Sequence, residues 1–276
     1  KKFSNKLKIV LEKILSFKKK FFLKLNFYIQ TIKYNSKKVK DKQIQSYFEA
    51  GLDRDRGLKK LNHNLKNINF QTYNELNEMY SEHLIIFAAI ADKYQNKIKN
   101  ILEIGTFDGK TSRILSSLFP LSQVNTIDLK DNDPIFMNSY GRENTQIRNS
   151  FIEKRNELLN SAKNINFLQL NSLNIMKTEI AEREYDLIWI DGAHGYPFAC
   201  ADIVNSFSLA HKDTLIICDD VWEKVNQNDQ LYKSDASFKT INEFEKANLL
   251  STKYIRKRIG KKFVIDNKYI CLCKLI

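Results

Sequence analysis

Apolar residues follow two periods along this chain. Runs of four to six residues, rich in Ile, Leu and Val, lie at 101–104, 124–127, 165–170, 185–190 and 214–218. Short apolar runs bounded by turn residues read as strands buried on both faces of a parallel sheet. Between them the spacing changes to three and four, which predicts helices over 111–118, 151–162 and 239–249. Leu84, Phe87, Ala88 and Ile90 form an apolar stripe in a further helix expected over Tyr73–Tyr94. Thr252–Arg258 and Tyr269–Leu275 read as two last strands, joined through Gly260 and Asp266-Asn267. Strands alternating with helices imply an α/β fold.

Charge changes this picture at one end only. The net charge is +13, but residues 1–45 carry 14 Lys against one Glu and one Asp, or +12. The other 31 basic and 30 acidic side chains leave the rest of the chain nearly neutral, at +1. Within this arm Leu7, Leu11, Ile14, Phe21, Leu25, Tyr28 and Ile32 recur at helical spacing between lysines. A basic amphipathic helix of this kind suits peripheral contact with an anionic membrane surface. It equally suits packing on the rest of the chain or on a second copy in a homo-oligomer, with its lysines in water. Nucleic acid is disfavoured, because the arm has no arginine, the favoured bidentate partner of bases and phosphates. No stretch approaches the roughly 20 apolar residues that span a bilayer. No signal peptide is expected, so the reading is cytoplasmic, with the arm able to touch a membrane surface. Residues 46–75 are polar and read as a linker or cap, with Gly51 and Gly57 as turns, before a domain over 76–276. Cys200, Cys218, Cys271 and Cys273 form no C-x-x-C pair and read as free thiols.

The chemistry begins after the first strand. Ile101-Leu102-Glu103-Ile104 runs into Gly105-Thr106-Phe107-Asp108-Gly109-Lys110 and then a helix. That order is a strand, a tight turn and a helix N-terminus, whose orphan N–H groups suit an anionic or polar ligand. Gly105 can take dihedrals closed to other residues, and Gly109 would let a ligand lie against the backbone. The spacing is E-x-G-x-x-x-G, which departs from the dinucleotide pattern G-x-G-x-x-G and argues against a nicotinamide oxidoreductase. ILEIGTFDG resembles motif I of the class I S-adenosylmethionine (SAM)-dependent methyltransferases. The resemblance implies a Rossmann-like fold: a mostly parallel seven-stranded sheet with a C-terminal antiparallel hairpin. It also implies that Glu103, Gly105, Thr106, Phe107 and Gly109 flank the amino-acid part of SAM. Asp128 ends the second strand about 20 residues on, where a carboxylate can accept hydrogen bonds from a ribose. The resemblance puts adenine near Asn171 and Ser172, past the third strand, and gives Asp191 a cofactor contact.

Acidic residues then gather at two strand ends. Tyr185–Ile190 leads into Asp191-Gly192-Ala193-His194, and Thr214–Cys218 into Asp219-Asp220. Neighbouring parallel strands end at one edge, so Asp191, Asp219 and Asp220 are expected to converge. Three carboxylates in one place repel, and a hard divalent cation with oxygen ligands would resolve this. IDGAHGYP and CDDVW resemble the metal-dependent small-molecule and sugar O-methyltransferases. The implied roles are ligation of Mg2+ or another divalent cation by Asp191, Asp219 and Asp220, with His194 as general base. The chain lacks an identifiable Lys-x-x-x-Tyr pattern of the catechol-type enzymes. The expected activity is methyl transfer from SAM to a hydroxyl of a small molecule or sugar. The alternatives are a metal-independent methyltransferase acting on another acceptor, nucleic acid or protein included, and a non-catalytic docking module. Tyr140 and Arg142, in the polar segment 130–150, are possible substrate contacts. Residues 223–238 read as a lid. His63, His83 and His211 have no partner pattern and read as surface or helix residues.

Overall fold

A computed structural model of the chain describes residues 17–18, 21–22, 25, 29, 37–74, 82–225, 233–257 and 268–276. Most of the basic arm lies outside the described residues. So do residues 75–81 of the expected 73–94 helix, whose first residues Tyr73 and Asn74 are not helical, the middle of the expected lid and the Gly260 and Asp266-Asn267 connection. Among the described arm residues, Phe17, Phe21, Phe22, Leu25 and Ile29 are exposed. Among the described residues no helix is long and apolar enough to cross a membrane.

Seven strands form one sheet: β1 (Asn100–Ile104), β2 (Gln123–Asp128), β3 (Ile165–Gln169), β4 (Tyr185–Ile190), β5 (Ala210–Trp222), β6 (Leu250–Arg256) and β7 (Lys268–Leu275). Their order is β3-β2-β1-β4-β5-β7-β6. The first five pair in parallel, and β7 runs antiparallel to both β5 and β6. This is the expected Rossmann-like methyltransferase sheet with its antiparallel C-terminal pair.

Successive side chains on a strand point to opposite faces, and this divides the core. Ile101, Val124, Leu187, Trp189 and Ile217 face one layer, and Leu102, Ile104, Ile127, Ile188, Ile190 and Ile216 the other. The first layer is covered by α1 (Lys37–Glu49), α2 (Arg54–Asn67), α3 (Glu82–Tyr94) and α4 (Lys110–Leu118). The helix α5 (Thr145–Asn160) lies beside α4, while α6 (Phe198–Ser208) and α7 (Ala236–Lys246) cover the second layer. Full burial of each Leu, Ile or Phe contributes about 1.5–3 kcal/mol, so the two layers dominate the stability.

The segment 46–75 departs from expectation. It holds the whole of α2, a 14-residue helix, where irregular chain was expected. Asp53 caps it by accepting from Arg56 N at 2.9 Å, and Leu61 and Leu65 are buried. At its start, Arg54 Nε donates to Glu82 Oε1 at 2.7 Å and Arg54 Nη2 to Oε2 at 3.2 Å, while Tyr47 donates its hydroxyl to Oε1 at 2.8 Å. These groups lock α1, α2 and α3 together. The β6 edge is also engaged: Gln43 of α1 donates to the Arg256 carbonyl at 3.0 Å.

Candidate active site

The strand register builds the site. Ile104 pairs with Ile127 and with Ile190, and Ile190 pairs with Cys218. The next residues, Gly105, Asp128, Asp191 and Asp219, therefore stand in one row across the carboxyl edge of four parallel strands. Ligands bind at this edge in open α/β sheets.

Gly105 has φ +104°, and a Cβ there would lie 2.3 Å from the Asp191 carbonyl oxygen. Its N–H donates to Ile127 O at 2.9 Å. Glycine is thus required where the chain leaves β1 and brushes the loop after β4. Gly109, with φ +78°, opens α4, but its bare side faces Leu159 of α5 at 3.2 Å rather than open space. The expectation that it admits a ligand is corrected accordingly.

Phe107 has φ +48°, which turns its N–H toward Asp128 Oδ2 at 2.7 Å. Leu129 N donates to Oδ1 at 2.8 Å. Each Asp128 oxygen so accepts one backbone bond and keeps a lone pair. The carboxyl is only half-buried, as a ribose-binding group requires. Burial raises its pKa, and the two backbone bonds oppose that.

Glu103 does not reach this edge. Strand alternation sends it under α4, wholly buried, where Oε2 accepts from Ser112 Oγ and from Thr126 Oγ1 at 2.6 Å. Oε1 has no hydrogen-bond partner. The expected contact with SAM is therefore corrected to a packing role. Thr106 is likewise buried, its hydroxyl 2.6 Å from that of Thr126. Burial pushes the Glu103 carboxyl up to about 8, against a usual 4.5. A raised folded-state pKa means the native state holds a proton that the unfolded chain has lost. Its stabilising contribution is complete below about 4.5 and is lost as pH rises through about 8. Glu103→Gln is expected to flatten that loss, which has a limiting slope of about 1.4 kcal/mol per pH unit. Urea midpoints measured from pH 4.5 to 8.5 check this; parallel curves for the two proteins would refute it.

Asn171 accepts from Leu173 N at 3.0 Å, capping the 3-10 turn Ser172–Lys177. Its carbonyl oxygen is thereby engaged, leaving the amide NH2 for an adenine edge. Arg142 is buried. It donates to Phe136 O and Ser139 Oγ and lies 3.9 Å over the Phe136 ring. It holds the 130–150 segment together. Tyr140 is exposed, with its ring 5.0 Å from that of Phe107.

The acidic cluster forms, but with lysines inside it. Between Cys218 and Val221 the β5–β7 register slips by one residue, and Asp220 adopts φ +50°. A bulge of this kind redirects a side chain, which lets Asp219 and Asp220 share a partner instead of alternating. Lys257 Nζ lies 2.6 and 2.8 Å from the two Asp219 oxygens and 2.8 Å from Asp220 Oδ1. Lys268 Nζ lies 2.6 Å from the same Asp220 Oδ1. The two ammonium groups overcome burial and hold Asp220 far below the usual carboxylate range. In return, the carboxylates outweigh burial and hold Lys257 above its ordinary value. Asp191 goes the other way: burial, with Asp219 and Asp220 beside it, raises its carboxyl well above normal.

His194 Nε2 lies 3.6 Å from Asp220 Oδ2, in ion-pair range but longer than a hydrogen bond. Burial lowers its pKa, so the ring is neutral near pH 7. His83 is a helix residue, as read from sequence, and its ring also reaches this site. Its Nδ1 lies 3.8 Å from Asp219 Oδ2, and its ring stacks on Trp189 with centroids 5.0 Å apart. Burial lowers its pKa to about 4. Lys257 and Lys268 were also missed. All three lie far from the D-G-x-H stretch in sequence, so no local spacing announces them.

The expected divalent cation does not fit this arrangement. Both Asp219 oxygens and Asp220 Oδ1 are engaged by ammonium groups. Among the described residues no group of three or more His, Cys, Asp or Glu side chains is arranged to hold a metal ion. Asp219 and Asp220 thus meet ammonium groups where a divalent cation was expected, with Asp191 beside them.

The sheet order, the glycine turn after β1 and the carboxylate ending β2 define the class I methyltransferase fold. Residues 102–221, from β1 into β5, match a family model described as a methyltransferase domain. Over those residues the chain is similar to a methyltransferase domain, set on a sheet of the class I order. Among curated proteins, none matches the sequence. Similar solved structures include the O-methyltransferase TomG of Streptomyces achromogenes, involved in tomaymycin synthesis, in complex with SAM. It is 15% identical over 81% of this chain and 91% of that one, with a TM-score of 0.46. Another is an O-methyltransferase from Bacillus cereus in complex with SAH, 19% identical over 80% and 90%, with a TM-score of 0.44.

Proposed function

We propose that this chain transfers the methyl group of SAM to a hydroxyl of a small molecule or sugar, with His194 as the general base. One observation carries the reading: a largely buried, neutral imidazole stands against Asp220 at the same sheet edge as Asp128. SAM supplies an electrophilic sulfonium methyl. The protein's part is to align that methyl and relieve the acceptor oxygen of its proton. Asp128, set by the Phe107 N–H, holds the nucleoside end, and the loop after β4 carries the base.

Asp128→Ala is expected to weaken SAM binding roughly ten- to hundredfold, the value of about 1.5–3 kcal/mol for hydrogen bonds to a charged group. Calorimetric titration of SAM into wild type and variant measures it. SAH release with a panel of sugar and phenolic hydroxyl acceptors then tests the transfer. A wild-type chain that fails to bind SAM would sink the reading.

A further inference from the structure

The C-terminal hairpin brings two lysines to the edge of the proposed active site. Lys257 follows β6 and Lys268 opens β7, and Lys257 N donates to Lys268 O at 2.9 Å, so both stand at one level. Both are buried, at 2% and 6% exposure. Lysines are almost never buried this far unless paired, and here the partners are Asp219 and Asp220.

Three of the four carboxylate oxygens of that pair touch an ammonium group, and the fourth faces His194. An oxygen-ligated dication needs those same lone pairs. The two ammonium groups also bring the formal charge of a dication. A metal could enter only if both lysines left, and each would then be a buried, unpaired charge.

We propose that Lys257 and Lys268 stand in place of a divalent cation, making this site metal-independent. The pair acts by positioning: it neutralises Asp219 and Asp220 and fixes the carboxylate that His194 faces. The inference rests on the methyltransferase reading for its meaning, but not for its test.

The test is Mn2+ binding to the full-length chain, followed by electron paramagnetic resonance. Wild type is expected to leave Mn2+ free, and exhaustive chelation is expected to leave SAH release unchanged. Lys257→Ala/Lys268→Ala uncovers the carboxylates and is expected to gain one saturable Mn2+ site, lost again when Asp219→Asn is added. Circular dichroism and SAM titration establish that the variants fold. Wild type binding one Mn2+ per chain, with the site lost in Asp219→Asn, would overturn the proposal. So would a folded double variant that gains no site. Absence of methyl transfer together with Mn2+-free wild type would sink the proposed activity and leave the lysine substitution standing.

Discussion

His194→Ala is expected to lower kcat about 10²- to 10⁴-fold, the usual contribution of a positioned acid–base group. SAM affinity is expected to stay near wild type, because the nucleoside end is held by Asp128 and the turn after β1. Burial lowers the pKa of the His194 ring, the Asp220 and Asp219 carboxylates pull it back up, and the Lys268 and Lys257 ammonium groups oppose them. The balance leaves a neutral imidazole at pH 7. Asp220 Oδ2 beside Nε2 favours the tautomer with its proton there. In the proposed reaction the Nδ1 lone pair would then take the hydroxyl proton as the sulfonium C–S bond breaks and the C–O bond forms. Single-turnover SAH formation across pH checks this. Wild type is expected to lose rate only below the ordinary histidine range, as the ring protonates, and the variant is expected to lack that acid limb. A variant with undiminished kcat would remove His194 from the chemistry.

Much of the site was legible because of strand register. Each of Asp128, Asp191 and Asp219 directly follows an apolar run, and parallel pairing places all three with Gly105 in one row. The strands themselves were legible because burial on both faces leaves near-continuous Ile, Leu and Val. β5 runs further than its apolar core, over Ala210–Trp222, because a bulge carries the two aspartates inside the ladder. A pattern reading ends such a strand at the first charge. α2 was missed for a related reason. Its Lys, Asn and Arg residues dilute the apolar stripe, and its burial depends on α3. The nature of the cation was hidden altogether. Sequence shows that converging carboxylates require positive charge, but not whether a metal or a lysine supplies it. Lys257 and Lys268 lie 38 and 48 positions beyond Asp219 and Asp220, and only the β5–β7–β6 pairing closes that distance. Glu103 shows the converse failure. It occupies the expected place in its motif, yet strand alternation turns it beneath α4.

Arg54→Ala is expected to destabilise the fold by about 3–5 kcal/mol, the cost of leaving one member of a buried ion pair unpaired. Arg54 and Glu82 are 2% and 0% exposed, and the guanidinium meets both carboxylate oxygens. Removing it takes the guanidinium from both oxygens of a carboxylate that water does not reach, while Tyr47 still donates to Oε1. Typical domains are stable by 5–15 kcal/mol, so a large part of the total is at stake. The effect extends beyond α2, because Glu82 begins α3 and His83 follows it. Loosening that turn is expected to move the His83 imidazole, which packs on Trp189 and lies beside Asp219. Arg54→Met/Glu82→Leu separates charge from packing. If the single-variant loss reflects a stranded carboxylate, the double variant should recover most of it, since apolar pairs of similar volume often match buried ion pairs. Urea unfolding of the three proteins decides the matter. Equal losses in the single and double variants would assign the cost to packing, and a single variant within about 0.5 kcal/mol of wild type, as surface substitutions typically are, would mean that the pair does not join the helical cap to the sheet.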